Sequence, residues 1–159
     1  MEMTNELIAA IETLDPEIIY STILMFIGFF AIIAVIGLSR YLLTAIGYSK
    51  MYRKAGEAGW KAFIPVYNTY NNYKISWTGK FFFLSAALYI LVTALSNSAM
   101  LAAQLAVIAA GIALLVVTVK QNVKMAKLFG KGAGTGIALI FFPGITSLIL
   151  GLGKAEFQK

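Results

Sequence analysis

The stretch "IIYSTILMFIGFFAIIAVIGLS", Ile18 to Ser39, runs 22 residues without a charged side chain. At 1.5 Å of rise per residue a helix of that length covers about 33 Å, enough for the ~30 Å hydrocarbon core of a bilayer. It therefore predicts a membrane-spanning helix, and its flanks support that reading. On the amino side, "DPE" at 15–17 is a helix start, in which Asp15 caps, Pro16 takes the first helical position and Glu17 suits the positive end of the dipole. Residues 1–17 carry five acids (Glu2, Glu6, Glu12, Asp15, Glu17) and no lysine or arginine, the opposite of a cleaved signal peptide. Because Leu7, Ile8, Ile11 and Leu14 recur at helical spacing, this acidic tail is either a short interfacial helix or a solvated tail. On the carboxyl side, Arg40 reads as an end-of-span charge reaching for headgroups, and the helical pattern "YLLTAIGYSKMYRK" continues past it.

Composition agrees with a membrane protein of one domain. Of 159 residues 60% are hydrophobic and 13% charged, against about 25% charged in soluble domains, and the mean hydropathy is +0.81. Cysteine and histidine are both absent, which removes disulfides, thiolate nucleophiles, the usual zinc sites and imidazole acid–base chemistry. No cofactor or metal is expected. The net charge of +6 lies in connections between apolar runs, so anionic membrane lipid, rather than nucleic acid, is the expected partner.

Three more apolar runs follow. "FFFLSAALYILVTALS" predicts a short second span over about 80–97, Asn97 and Ser98 supply a turn, and a third span covers 99–119 as the other arm of a tight hairpin. A fourth span is expected at 132–152, with a kink at Pro143. The fold class is thus all-α, a polytopic membrane protein of four helices in two hairpins, with spans at about 18–40, 80–97, 99–119 and 132–152. Arg40, Lys50, Arg53, Lys54, Lys61, Lys74 and Lys80 lie between spans one and two, and Lys120, Lys124, Lys127 and Lys131 between three and four. Such charges resist translocation, so both connections are expected in the cytoplasm and both termini outside a cell membrane crossed several times.

Two passages resemble one another, "KMYRKAGEAGWKAFIP" from Lys50 and "KMAKLFGKGAGTGIALIFFP" from Lys124. Each begins Lys-Met, reaches a glycine six residues on (Gly56, Gly130) and ends in proline (Pro65, Pro143), the second being four residues longer. Two units in the same orientation, related by an axis along the membrane normal, would look like this.

The segment 48–79 is the most polar part of the chain and supplies most of the candidate site. Tyr67, Tyr70, Tyr73 and Trp77 recur at three, three and four residues, one face of a helix, and such rings favour the headgroup level. Asn68, Asn71 and Asn72 adjoin them and are expected against headgroups, water or other protein, as a polar site or as interhelical hydrogen bonders. Trp60 and Lys61 fit an interfacial dip, with Lys50, Arg53 and Lys54 beside it. Lys127 and Lys131 flank "GKGAGTG", a glycine-rich turn able to cradle an anion, although Gly132 and Gly136 at GxxxG spacing equally suit close helix packing. A small-residue stripe (Ala99, Ala102, Ala106, Ala110, Ala113), with Gln104, suggests helix packing or a homo-oligomer. Glu57, the one acid in the basic connections, reads as a solvated loop charge.

At "YSKMYRKAGEAGWKAFIPVYNTY", with the closing "GLGKAEFQ", the chain resembles a family of small bacterial membrane proteins of unknown function, some members of which are labelled signal peptidase I. The likeness rests on Gly-Trp-Lys-Ala-Phe-Ile-Pro-x-Tyr-Asn at 59–68 and on the glycine-rich start and carboxyl end of the last span, and it implies no chemistry. A peptidase needs an outer serine and a lysine base in contact, whereas only Lys154 and Lys159 are expected outside. The residues favour a non-enzymatic membrane protein, an accessory or scaffold subunit whose basic and aromatic face meets anionic lipid or a membrane protein partner. The alternative is a small oligomeric channel or transporter lined by Asn68, Asn71, Asn72, Asn97 and Gln104.

Overall fold

The computed structural model describes Thr4 and residues 15–158. The expected interfacial helix or solvated tail before Asp15 falls outside the described residues, Thr4 apart. Among the described residues every regular element is helical: α1 (Pro16–Lys54), a 3-10 helix (Gly59–Phe63), α2 (Pro65–Ser76), α3 (Lys80–Leu95), α4 (Leu101–Leu128), α5 (Ala133–Phe141) and α6 (Pro143–Leu152). Two of them, α1 and α4, are long and apolar enough to cross a membrane. The α1 start is as the sequence predicts: Asp15 Oδ1 accepts the Glu17 N–H at 3.0 Å, and Pro16 opens the helix, where its missing N–H costs nothing.

The chain divides into two units, residues 1–40 and 41–159. From Pro16 to Arg40 the first unit is a single helical run, exposed at every position but the half-buried Ile19. The second unit holds the core, where Tyr48, Met51, Tyr52, Ala62, Met125, Phe129, Leu139 and Leu150 form one cluster.

Both α1 and α4 end in the same device. Gly56 (φ 79°) and Gly130 (φ 66°) are left-handed, a conformation that an L side chain adopts only at a cost of about 1–2 kcal/mol. Behind them Glu57 N–H donates to the Tyr52 carbonyl at 2.8 Å, and Lys131 N–H to the Ala126 carbonyl at 2.9 Å. These are Schellman closures, which satisfy carbonyls that the helix end would otherwise orphan.

After each cap the chain folds back. The 3-10 helix runs alongside α1 towards its amino end: a Cβ on Gly59 would stand 2.6 Å from Ser49 Oγ, and four residues later the Phe63 carbonyl accepts from the Tyr41 hydroxyl. Pro65 then starts α2, which returns to the level of the cap, where Lys74 meets Glu57. In the second half, α5 packs along α4 so closely that a Cβ on Gly136 would lie 2.5 Å from Val123 Cα, while Gly132 has open space around it. Of the two GxxxG glycines, only Gly136 makes a close approach. In the alanine stripe Ala110 is buried, Ala106 and Ala113 are half-buried, Ala102 and Gln104 are exposed on α4, and Ala99 is exposed ahead of it.

The segment 132–152 is not one helix. The helix breaks at Phe142 (φ −128°, ψ 57°), and Pro143 begins a new one. Proline cannot donate to the preceding turn and its ring clashes there, so the expected kink is a full reversal. α6 runs parallel to α1: Gly144 lies against Thr44, and Gly151 against the Gly47 carbonyl and Met51 N. Its last turn and the residues after it deliver the Leu150, Gly153 and Ala155 carbonyls to Lys54 Nζ at 2.9, 2.7 and 2.9 Å. Gln158 N–H then donates to the Leu128 carbonyl at 2.6 Å. The carboxyl-terminal segment therefore sits with the ends of α1 and α4.

Candidate functional site

The helix that carries the asparagines owes its position to Pro65, which sets the first turn of α2, and to the 3-10 helix that brings it back beside α1. One face of α2 points inward. Tyr52, fully buried, directs its hydroxyl at the Asn68 carbonyl (2.7 Å), at Asn68 Oδ1, and at Asn72 Oδ1 (3.0 Å). One proton is shared among three acceptors. Asn72 Nδ2 in turn donates to Asn68 Oδ1 at 3.4 Å, and the Ser76 hydroxyl to the Asn72 carbonyl at 2.6 Å. Asn71 is only 1% exposed, and its Nδ2 has no hydrogen-bond partner among the described residues.

The aromatic residues of the same helix do not stay together. Tyr67 is exposed and meets Trp60 edge-on at 5.6 Å. Tyr70, half-buried, packs on Phe82 (5.6 Å) and covers Gly79, and Tyr73 is buried. Trp77 follows the last turn as its C-cap, its N–H on the Tyr73 carbonyl at 2.8 Å. Its ring stacks on Phe81 at 3.6 Å and carries Lys124 Nζ 3.9 Å above it. The spacing of three, three and four is helical as expected, but the ring positions fan from solvent to core.

The basic residues separate into engaged and open groups. Lys54 caps α6, where its charge also suits the negative end of the helix dipole. Lys61 and Lys74 clasp Glu57 at 2.7 and 2.5 Å. Glu57 is thus no solvated loop charge: the Lys61 hydrogen bond foremost, and the Lys74 one after it, hold its carboxyl below the usual range. Lys50, Arg53, Lys127 and Lys131 are exposed.

Residues 60–159, from the tryptophan of the Gly-Trp-Lys-Ala-Phe-Ile-Pro motif to the last lysine, match a family of unknown function, DUF5684. The chain belongs to that family. No curated protein and no solved structure matches it. The DUF5684 region contains Asn68, Asn71, Asn72 and Trp77, while the tyrosine that organises two of these asparagines, Tyr52, lies ahead of it.

Sequence reasoning missed Tyr52, Lys74 and Lys124 as members of these clusters. For Tyr52 a signal existed: "YSKMY" sets Tyr48 and Tyr52 four apart, on one face of α1, and the rings lie 5.9 Å apart. Lys124 and Trp77, 47 positions apart, leave no mark in either local pattern.

Proposed function

We propose that this DUF5684 protein is a non-enzymatic integral membrane protein, an accessory or scaffold subunit that rests a basic, aromatic unit on the anionic leaflet. The observation that carries the reading is the contrast between Pro16–Arg40, an apolar helix exposed around its whole circumference, and the polar, packed end where α1, α4 and α6 finish. A helix apolar on every side is soluble in hydrocarbon, not in water.

The crossings are three: α1, α3 and α4. The 3-10 helix with α2, and α5 with α6, fold back along α1 no farther than Tyr41 and Thr44, beyond its Ile18–Ser39 run, and so lie at the basic face of the membrane rather than across it. α3 is 16 residues long, about 24 Å, and is accommodated by local thinning of the bilayer. In this arrangement all thirteen lysines and arginines, from Arg40 onward, fall on one side, and that side is cytoplasmic. The acidic amino-terminal stretch and the 96–100 connection are outside, and the carboxyl terminus is inside.

Because the chain contains no cysteine, single-cysteine labelling needs no altered background. Lys50→Cys, Lys124→Cys and Gln158→Cys are expected to react with an impermeant maleimide only after the cells are opened, and Asn97→Cys in intact cells. Labelling of Gln158→Cys from outside would restore a fourth crossing, and labelling of Lys124→Cys from outside would invert the topology.

One observation favours a second reading, a channel or transporter: the buried, unpaired Asn71 amide, with Gln121, Asn122, Thr146 and Ser147 also buried. Solute flux in proteoliposomes that Asn71→Leu abolishes would support it, and an impermeable vesicle would end it.

A further inference from the structure

The last turns of α4 carry Lys120, Lys124 and Lys127, all exposed, at i, i+4 and i+7. With Trp77, Val119 and Val123 they line a groove of about 570 Å³, within the ordinary range for small-ligand sites. Its floor is valine and indole and its rim is ammonium. Among the described residues the groove is lined by no carboxylate, and Glu57, the acid nearest in sequence to Trp77, is already bound by Lys61 and Lys74. Three cations at one rim repel each other and favour any anion placed between them.

We propose that this groove binds an anionic phospholipid, its headgroup phosphate among the three lysines and one acyl chain along α4. The inference rests on the membrane reading above and adds a specific site to it. The rim is fixed in advance on one side: Trp77 is held by its cap hydrogen bond and its stack on Phe81, and Lys124 by the indole face beneath it. Tryptophan in this place sits at the headgroup level, ring in the apolar layer and N–H towards the phosphate. An apolar track leads away from the rim. Ile112 and Val116, exposed at 59% and 43%, precede Val119 and Val123 at helical spacing, so Ile112, Val116, Val119 and Val123 make a single stripe. A free phosphate or a nucleotide would use the rim and leave that stripe uncovered; a diacyl lipid covers both.

The chain holds two tryptophans, so Trp60→Phe leaves Trp77 as the sole indole reporter. The full-length W60F protein is reconstituted into phosphatidylcholine vesicles containing small fractions of either phosphatidylglycerol or phosphatidylcholine with brominated chains, which quench on contact. Trp77 emission is expected to fall at lower mole fraction with brominated phosphatidylglycerol, and Lys120→Gln, Lys124→Gln and Lys127→Gln together are expected to erase the difference. Each lysine removed should weaken the preference about fivefold. Equal quenching by the two lipids in W60F, or a preference that survives the triple change, overturns the site and leaves the membrane reading standing. No quenching by either lipid overturns the membrane reading itself. Loss of the preference on adding millimolar inorganic phosphate, at ionic strength matched with chloride, identifies a free-anion site and overturns the lipid.

Discussion

Tyr52 is the residue on which the polar interior turns, because its one hydroxyl answers two asparagine side chains and a main-chain carbonyl. Tyr52→Phe keeps the ring in the core and removes only the donor, taking from the part-buried Asn72 Oδ1 the hydroxyl it accepts from, and should cost about 1–3 kcal/mol of stability in detergent. Guanidinium or thermal unfolding reads this directly; an unchanged midpoint would mean that the asparagines satisfy one another. Glu57 offers a test with a sign. Its carboxyl is held below its ordinary value of 4.5, first by Lys61 and then by Lys74. A depressed carboxyl stabilises the fold fully above the unfolded-state value, and that contribution drains away as pH falls through the lower folded one. The parent should therefore lose more stability than Glu57→Gln between neutral pH and about pH 3. Parallel losses in the two proteins would show the clasp to be without energetic weight.

At the scale of elements, what was legible follows from what is local. The start of α1 is written in Asp15 and Pro16, and the apolar runs of α1, α3 and α4 are continuous in sequence. The break at Pro143 is local, but the packing of the two helices on either side of it is not. Residues 133–152 are uncharged throughout, so hydropathy alone reads one span, and what seats the two helices is the room that Gly136, Gly144 and Gly151 leave for α4 and α1. Glycine signals close approach but not to which partner. In the candidate site the asparagine cluster was legible as polar residues in an apolar chain, whereas its partner Tyr52 was not read as part of it. Two substitutions separate these uses of glycine. Gly56 has open space around it but φ 79°, so Gly56→Ala should cost about 1–2 kcal/mol from backbone conformation alone. At Gly47 a Cβ would meet Leu148 N at 2.7 Å. Backbone cannot yield as a side chain can, so Gly47→Ala should exceed the ~1–3 kcal/mol of ordinary overpacking and release α6 to limited proteolysis. If the two alanine variants unfold alike, α6 does not depend on that contact.

Taken whole, the molecule repeats one plan: a long helix, a left-handed glycine, a short returning helix, a proline, and a helix back to the cap. Met51 and Met125, each one residue after the paired lysine, are both 1% exposed, and the four-residue surplus of the second copy lies in the returning helix, nine residues in α5 against five in the 3-10 helix. The halves are also interlocked, since α2 of the first packs on α4 of the second and α6 of the second is capped by Lys54 of the first. Neither half closes its own core: Tyr52 and Met51 share theirs with Met125, Phe129, Leu139 and Leu150. A chain cut in the exposed connection, between Asn97 and Ser98, should consequently yield two fragments that are each degraded when made alone and that co-purify when made together. On the proposed membrane reading the long apolar helix of each fragment inserts before association, so the cut tests packing rather than insertion. A fragment 98–159 that survives alone and resists protease as the intact protein does would mean that α4, α5 and α6 form a self-sufficient unit, and that the exchange of helices between the halves contributes little to the fold.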